Sequence, residues 1–192
     1  MADTIGLEIL KRVEDVIRKV DEWQIDEFIS TLLKTKRVFV CGAGRSGLAG
    51  KAFAMRLMHL GFDVYVVGET TTPAIRKGDV LLAISGSGKT MSTLLIARTA
   101  KRLGATVYAI TSNPKSPLAK TSDGMIVVAG RGKEIVKDYI SQQLEGRHLP
   151  LTPMGTLFEL STSILLDSII ARLIKISGKE EEELRARHNN LE

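Results

Sequence analysis

Apolar residues return every three or four positions at the start of the chain, at Ile9, Val13, Val16, Ile17 and Val20 and again at Ile25, Phe28, Ile29, Leu32 and Leu33. That spacing predicts two amphipathic helices within residues 1–35. The pattern then changes. Five short apolar runs rich in β-branched residues follow: Val38–Cys41, Val64–Val67, Val80–Ile84, Thr106–Ile110 and Met125–Val128. Helical spacing separates the first run from the second (Ala49 to Leu60) and the third from the fourth (Met91 to Leu103, stopped by Gly104). Ser116–Lys120 leaves room for a turn or two before the fifth. Strands apolar on both faces, alternating with helices, predict a parallel sheet covered on both sides. The second run reaches the third through Gly68–Gly78 with no full helix, and Thr70-Thr71-Thr72-Pro73 in that loop can reach over the strand ends.

Residues 131–153 break the rhythm with Gly132, Gly146, Pro150, Pro153 and mixed charge, the pattern of a mobile stretch or a functional lid. From Met154 to Ile176 helical spacing returns, apolar on more than one face through Leu157, Phe158, Leu160, Ile164, Leu165, Leu166, Ile169, Ile170, Leu173 and Ile174. Such a helix is buried on most sides, which in a small domain predicts a subunit contact shared with the N-terminal helices. Glu180–Glu183 reads as a solvated helix start. The whole is one domain of 192 residues: a helical hairpin (1–35), a parallel α/β core (36–130), an irregular segment (131–153) and C-terminal helices (154–192).

Composition narrows the class. Apolar residues make up 44% of the chain, no run is long enough to span a membrane, and Met1-Ala2-Asp3 begins no signal peptide, so a cytoplasmic protein is expected. The single cysteine, Cys41, ends an apolar run and reads as packing; it rules out an internal disulfide and a cysteine-based zinc cluster. The net charge of +5 is unevenly spread, for residues 41–130 hold eleven basic and four acidic side chains. A positive field there would concentrate an anion. With aromatics at 5% and no Lys/Arg run longer than two, nucleic acid is not the expected partner.

Two loops in that region follow apolar runs and open helices: Cys41-Gly42-Ala43-Gly44-Arg45-Ser46-Gly47 and Ser85-Gly86-Ser87-Gly88-Lys89-Thr90. The second resembles a P-loop, but the pattern G-x-x-x-x-G-K-[ST] puts its first glycine where Ala83 stands, and no later strand ends in the aspartate that would hold magnesium. The first loop suggests a dinucleotide fold, yet Val66-Val67-Gly68 lies where the ribose-binding acid belongs. What remains is a small phosphate site. Gly44 and Gly86 let the backbone approach an anion, and Ser85, Ser87, Thr90 and Ser46 supply hydroxyls near two helix N-termini.

These loops, together with Thr111–Lys120 after the fourth run, resemble the SIS (sugar isomerase) domain. More narrowly, Phe53–Pro73, Pro153–Glu159 (PMGTLFE) and Arg187–Leu191 (RHNNL) resemble the 6-phospho-3-hexuloisomerase family, and the likeness runs through nearly the whole chain in order. The resemblance implies a flavodoxin-like, doubly wound, five-stranded parallel sheet and a homotetramer assembled through the N- and C-terminal helices. It implies interconversion of D-arabino-hex-3-ulose 6-phosphate and D-fructose 6-phosphate without metal or organic cofactor, a step that serves formaldehyde fixation by the ribulose monophosphate pathway or, in reverse, pentose formation. It implies that Ser85, Ser87 and Thr90 grip the phosphate with Ser46 opposite, and that Glu159 is the base. Arg45 is a candidate for the enediolate oxygens, His59 and His188 for ring opening or proton shuttling, and Thr70 and Thr71 for sugar hydroxyls; His148 is unassigned. An isomerase of another phosphosugar and a non-catalytic phosphosugar sensor are the alternatives.

Overall fold

The computed structural model describes residues 4–130, 155–179, 181–188 and 190; the irregular segment 131–153, with His148, lies outside the described residues. Five strands form one sheet: β1 (Arg37–Gly42), β2 (Asp63–Val66), β3 (Val80–Ile84), β4 (Thr106–Thr111) and β5 (Gly124–Val127). All neighbours are parallel, in the order β2-β1-β3-β4-β5. The flavodoxin-like expectation is met. The chain leaves β1 in one direction and β3 in the other, so a crevice opens above the carboxyl ends of these two central strands.

The alternation of side chains explains why the strands read as continuous apolar runs. Val38, Val40, Leu82, Ile84, Tyr108 and Ile110 point into one core, and Phe39, Cys41, Leu81, Ala83, Val107 and Ala109 into another. The first core is covered by α1 (Thr4–Ile17), α2 (Glu22–Lys34), α3 (Arg45–His59) and α6 (Thr156–Ser177). The second is covered by α4 (Met91–Arg102) and α5 (Pro117–Thr121), and a short α7 (Glu181–Arg185) follows α6. Both faces are dry, as a parallel sheet requires. Among the described residues no helix is long and apolar enough to cross a membrane.

Two sequence expectations shift. Helix α3 starts at Arg45, not Ala49, because Gly44 takes φ +57° and turns the chain into the helix at once. Helix α6 finds most of its cover within the chain: Phe158, Leu165, Leu166, Ile169, Ile170 and Leu173 are buried, while Leu160, Ile164 and Ile176 stay exposed. The expected subunit contact therefore has a narrower apolar strip to use than the sequence suggests.

The end of β1 and the first turn of α3 touch backbone to backbone. A Cβ added at Gly47 would lie 2.7 Å from the Gly42 carbonyl oxygen. Gly47→Ala is expected to cost about 2 kcal/mol in a denaturant melt, since backbone on both sides must move; an unchanged midpoint would show that the junction is slack.

Candidate active site

Of the helices that begin at the carboxyl edge of the sheet, three are α3 after β1, α4 after β3, and α6. Their cap residues Gly44, Thr90 and Gly155 make no side-chain capping bond. By contrast, Asp21 caps α2 through Trp23 N and Ser116 caps α5 through Ala119 N. The starts of α3 and α4 thus keep amide donors and positive dipole ends without a side-chain cap or a first-turn carboxylate of their own, whereas α6 carries Glu159 in its first turn. Arg45 at the start of α3, with Lys89 and Lys115 in the loops after β3 and β4, adds charge of the same sign.

The turn from Ser85 to Thr90 is built rigidly. Gly88 N donates to Ser85 O at 3.0 Å, the hydroxyls of Ser85 and Thr90 lie 3.1 Å apart, and Lys89 N donates to Ser87 Oγ at 3.2 Å. Gly88 takes φ +60°, and a Cβ there would sit 2.1 Å from Ser116 Oγ, so α5 holds the turn from below. Ser85 is buried; Ser87 and Lys89 face solvent. Ser46 lies half-buried in the first turn of α3, beside Gly44, around which there is open space.

Glu159, in the first turn of α6, leans over this edge. Its carboxylate accepts from Arg45 Nε, and its side chain is 15% exposed against 58% for Arg45. The preceding residue, Phe158, lays its ring on Gly86, where a Cβ would be 3.0 Å from the ring. Turn and carboxylate are thus fixed to each other through one contact. Arg45, Leu48, Ala49, Ala52, Glu159, Leu160 and Ser163 line a cavity of about 310 Å³ beside the pair. Among the described residues no cluster of His, Cys, Asp and Glu is placed to hold a metal ion.

The other residues singled out in the sequence fall in two places. Thr70 and Thr71 are exposed beyond β2, and it is Thr72 whose hydroxyl turns inward to Val66 O. His59 and His188 stack on each other, centroids 5.2 Å apart, at the far end of α3. Arg45 opens and His59 closes that helix, so about 21 Å separate them at 1.5 Å per residue. Within one chain the histidines do not reach Glu159. His59 lines instead a cavity with Arg56, Asp167 and Ile174, and Lys179 Nζ donates to Leu60 O beside it.

Two residues at the edge went unassigned in the sequence, Thr111 and Ser112. Thr111 ends β4 and Ser112 follows it, at the same edge as the glycine loops, and that placement was the available signal. Both hydroxyls donate to Gly86 O.

Comparison with known proteins bears on this site. The SIS domain profile matches residues 31–143. A 3-hexulose-6-phosphate isomerase from Mycobacterium gastri is 42% identical over 180 residues, covering 94% of this chain and 86% of that protein. One from Bacillus subtilis is 37% identical over 185 residues, covering 96% of each. The crystal structure of a Methanococcus jannaschii protein, from which a 3-hexulose-6-phosphate isomerase function was inferred, superposes with a TM-score of 0.78 at 37% identity, covering 98% of this chain and 97% of that one. The chain belongs to the SIS domain family and, with these relatives, is a sugar-phosphate isomerase.

Burial pushes the His59 imidazole below its ordinary value of 6.5, and neighbouring His188 and Arg56 add to the shift. The unfolded chain therefore takes up this proton at higher pH than the folded one. Stability held by neutral His59 is complete above about pH 6.5 and is lost as pH falls below that toward the lower folded value. His59→Gln is expected to flatten part of the fall in Tm between about pH 6.5 and 5; an identical fall in wild type and variant would contradict the shift.

Proposed function

We propose that the chain interconverts D-arabino-hex-3-ulose 6-phosphate and D-fructose 6-phosphate, with Glu159 carrying the proton. The observation that supports this most is the Phe158–Gly86 contact, which holds a carboxylate at a set distance from a hydroxyl-rich anion turn. The 3-hexulose-6-phosphate isomerases among its relatives point to the substrate.

In this reading Ser85, Ser87 and Thr90, with Ser46 and the backbone at Gly44 and Gly86, bind the phosphate ester, and Thr70 and Thr71 meet sugar hydroxyls. From the 3-ketose, Glu159 removes the proton on C2. The C2–H electron pair forms a C2–C3 double bond, and the C3 carbonyl becomes an enediolate oxygen. Proton transfer between the two oxygens moves the negative charge to O2. Collapse to a C2 carbonyl then lets C3 take the proton back from Glu159. One carboxylate serves both carbons because they are adjacent. Arg45 orients that carboxylate and has further N–H donors for the enediolate oxygens. The chemistry proposed calls on no cofactor.

His59 and His188 enter this scheme from a second copy, in a homotetramer built through the N- and C-terminal helices. Helices α3 and α6 run side by side in the same direction, since their starts share the Arg45–Glu159 pair and their ends share the His59 cavity. Leu48 (64%), Met55 (46%), Leu160 (37%) and Ile164 (45%) leave an exposed apolar strip between those ends. A two-fold axis across the strip sets the helices of two copies antiparallel and brings the histidine end of one to the carboxylate end of the other.

Glu159→Gln is expected to lower turnover of the hexulose phosphate by about 10³-fold while inorganic phosphate still binds; a variant within tenfold of wild type would remove Glu159 from the mechanism, and faster turnover of an aldose phosphate by wild type would change the substrate. Co-expressing Glu159→Gln with His59→Gln tests the shared site. Mixed assemblies should recover activity well above either parent, because one site per pair is then intact. No recovery, or full activity in His59→Gln alone, would contradict it.

A further inference from the structure

The oxygen of Gly86 receives an unusual number of donors. Ser112 Oγ lies 2.6 Å from it, Ser112 N 3.0 Å and Thr111 Oγ1 3.2 Å. A carbonyl has two lone pairs, and the ladder bond from Ser112 N already occupies one. The two hydroxyls come from the end of β4, more than twenty positions away in sequence, and both are held in place. Thr111 is fully buried, and a Cβ added at Gly130 would lie 3.2 Å from Ser112 Oγ.

The peptide between Gly86 and Ser87 is planar and trans, so its carbonyl and its N–H point in opposite directions. Fixing the oxygen toward β4 therefore aims Ser87 N–H away from β4, to the open side of the turn. Among the described residues that N–H has no hydrogen-bond partner. Gly86 has no Cβ, so nothing in its own side chain prevents this peptide from rotating. Rotated, it would present a carbonyl oxygen to an incoming anion instead of a donor.

We infer that Ser112, with Thr111, is a positioning residue for substrate binding: it locks the Gly86–Ser87 peptide in the one orientation that offers an amide to a phosphate. This rests on the turn being the phosphate site. The lock explains why two hydroxyls are directed at a carbonyl that the sheet already satisfies. It also separates two duties at this edge. Ser85, Ser87 and Thr90 meet the ligand, whereas Ser112 acts only through Gly86.

The test compares wild type, Ser112→Ala and Ser112→Thr, with Tm confirming that each is folded. Inorganic phosphate binding is measured by calorimetry, alongside KM and kcat for the sugar phosphate. Ser112→Ala is expected to weaken phosphate about tenfold and to raise KM similarly, the loss falling on binding rather than on kcat. Ser112→Thr, which keeps the hydroxyl, should restore most of it. Should Ser112→Ala not fold, Thr111→Val removes the other hydroxyl and is expected to weaken phosphate in the same sense. If wild type binds phosphate and each folded hydroxyl-deletion variant binds it equally well, the lock is wrong and the phosphate site stands. If wild type binds no phosphate at all, or binds it without competing with substrate, the site itself is wrong and the lock falls with it.

Discussion

The packing of the Phe158 ring on Gly86 ties the turn after β3 to the first turn of α6, and the proposed mechanism depends on that tie. One residue belongs to the turn after β3, the other to the first turn of α6, and the residue after Phe158 is the carboxylate. No side chain larger than hydrogen fits at position 86 without moving the ring. Glu159 is the next residue along the same helical turn, so the ring packs directly beside the carboxylate's own backbone. A helix whose other apolar residues are locked into the core, through Leu165, Leu166, Ile169 and Leu173, cannot slide to absorb the change. Catalysis by a single carboxylate asks for this kind of stiffness, because the reacting carbons must lie close to the base while the ester end is held elsewhere.

Electrostatics reinforce the same edge. Three helix starts that face it lack side-chain caps, and the amides and dipoles of α3 and α4 are left for something else to satisfy. Arg45, Lys89 and Lys115 stand there too. Glu159 lies within that field, and Arg45 already pairs with it. A phosphate would therefore arrive where positive potential remains, toward the β3 turn, leaving the Arg45–Glu159 pair beside the carbon chain. In the proposed mechanism, binding and chemistry are divided between the turn and the helix by charge as well as by distance.

Much of this was legible in the sequence, for a physical reason. Strands buried on both faces leave continuous apolar runs, and the turn hydroxyls crowd into six positions. What escaped reading depends on contacts between distant parts. The start of α3 was placed four residues late because Arg45–Leu48 carry little apolar spacing; those positions face the site, not the core. The apolar wrap of α6 suggested another subunit, whereas α1 and α3 of the same chain cover most of it. Thr111 and Ser112 donate to a carbonyl in the turn after the neighbouring strand, which no local pattern records. The separation of His59 from Glu159 is different in kind. It follows from the length of α3 together with the Arg45–Glu159 pair, and it is the reason a second copy is proposed to supply the histidines.

The most direct measurement is a crystal structure with D-fructose 6-phosphate bound. The phosphate should occupy the Ser85–Thr90 turn with Ser87 N–H donating to it, and C2 and C3 should both lie within about 3.5 Å of the Glu159 carboxylate. A phosphate held elsewhere, or both carbons out of reach of every Glu159 in the assembly, would contradict the link between turn and base on which the mechanism depends.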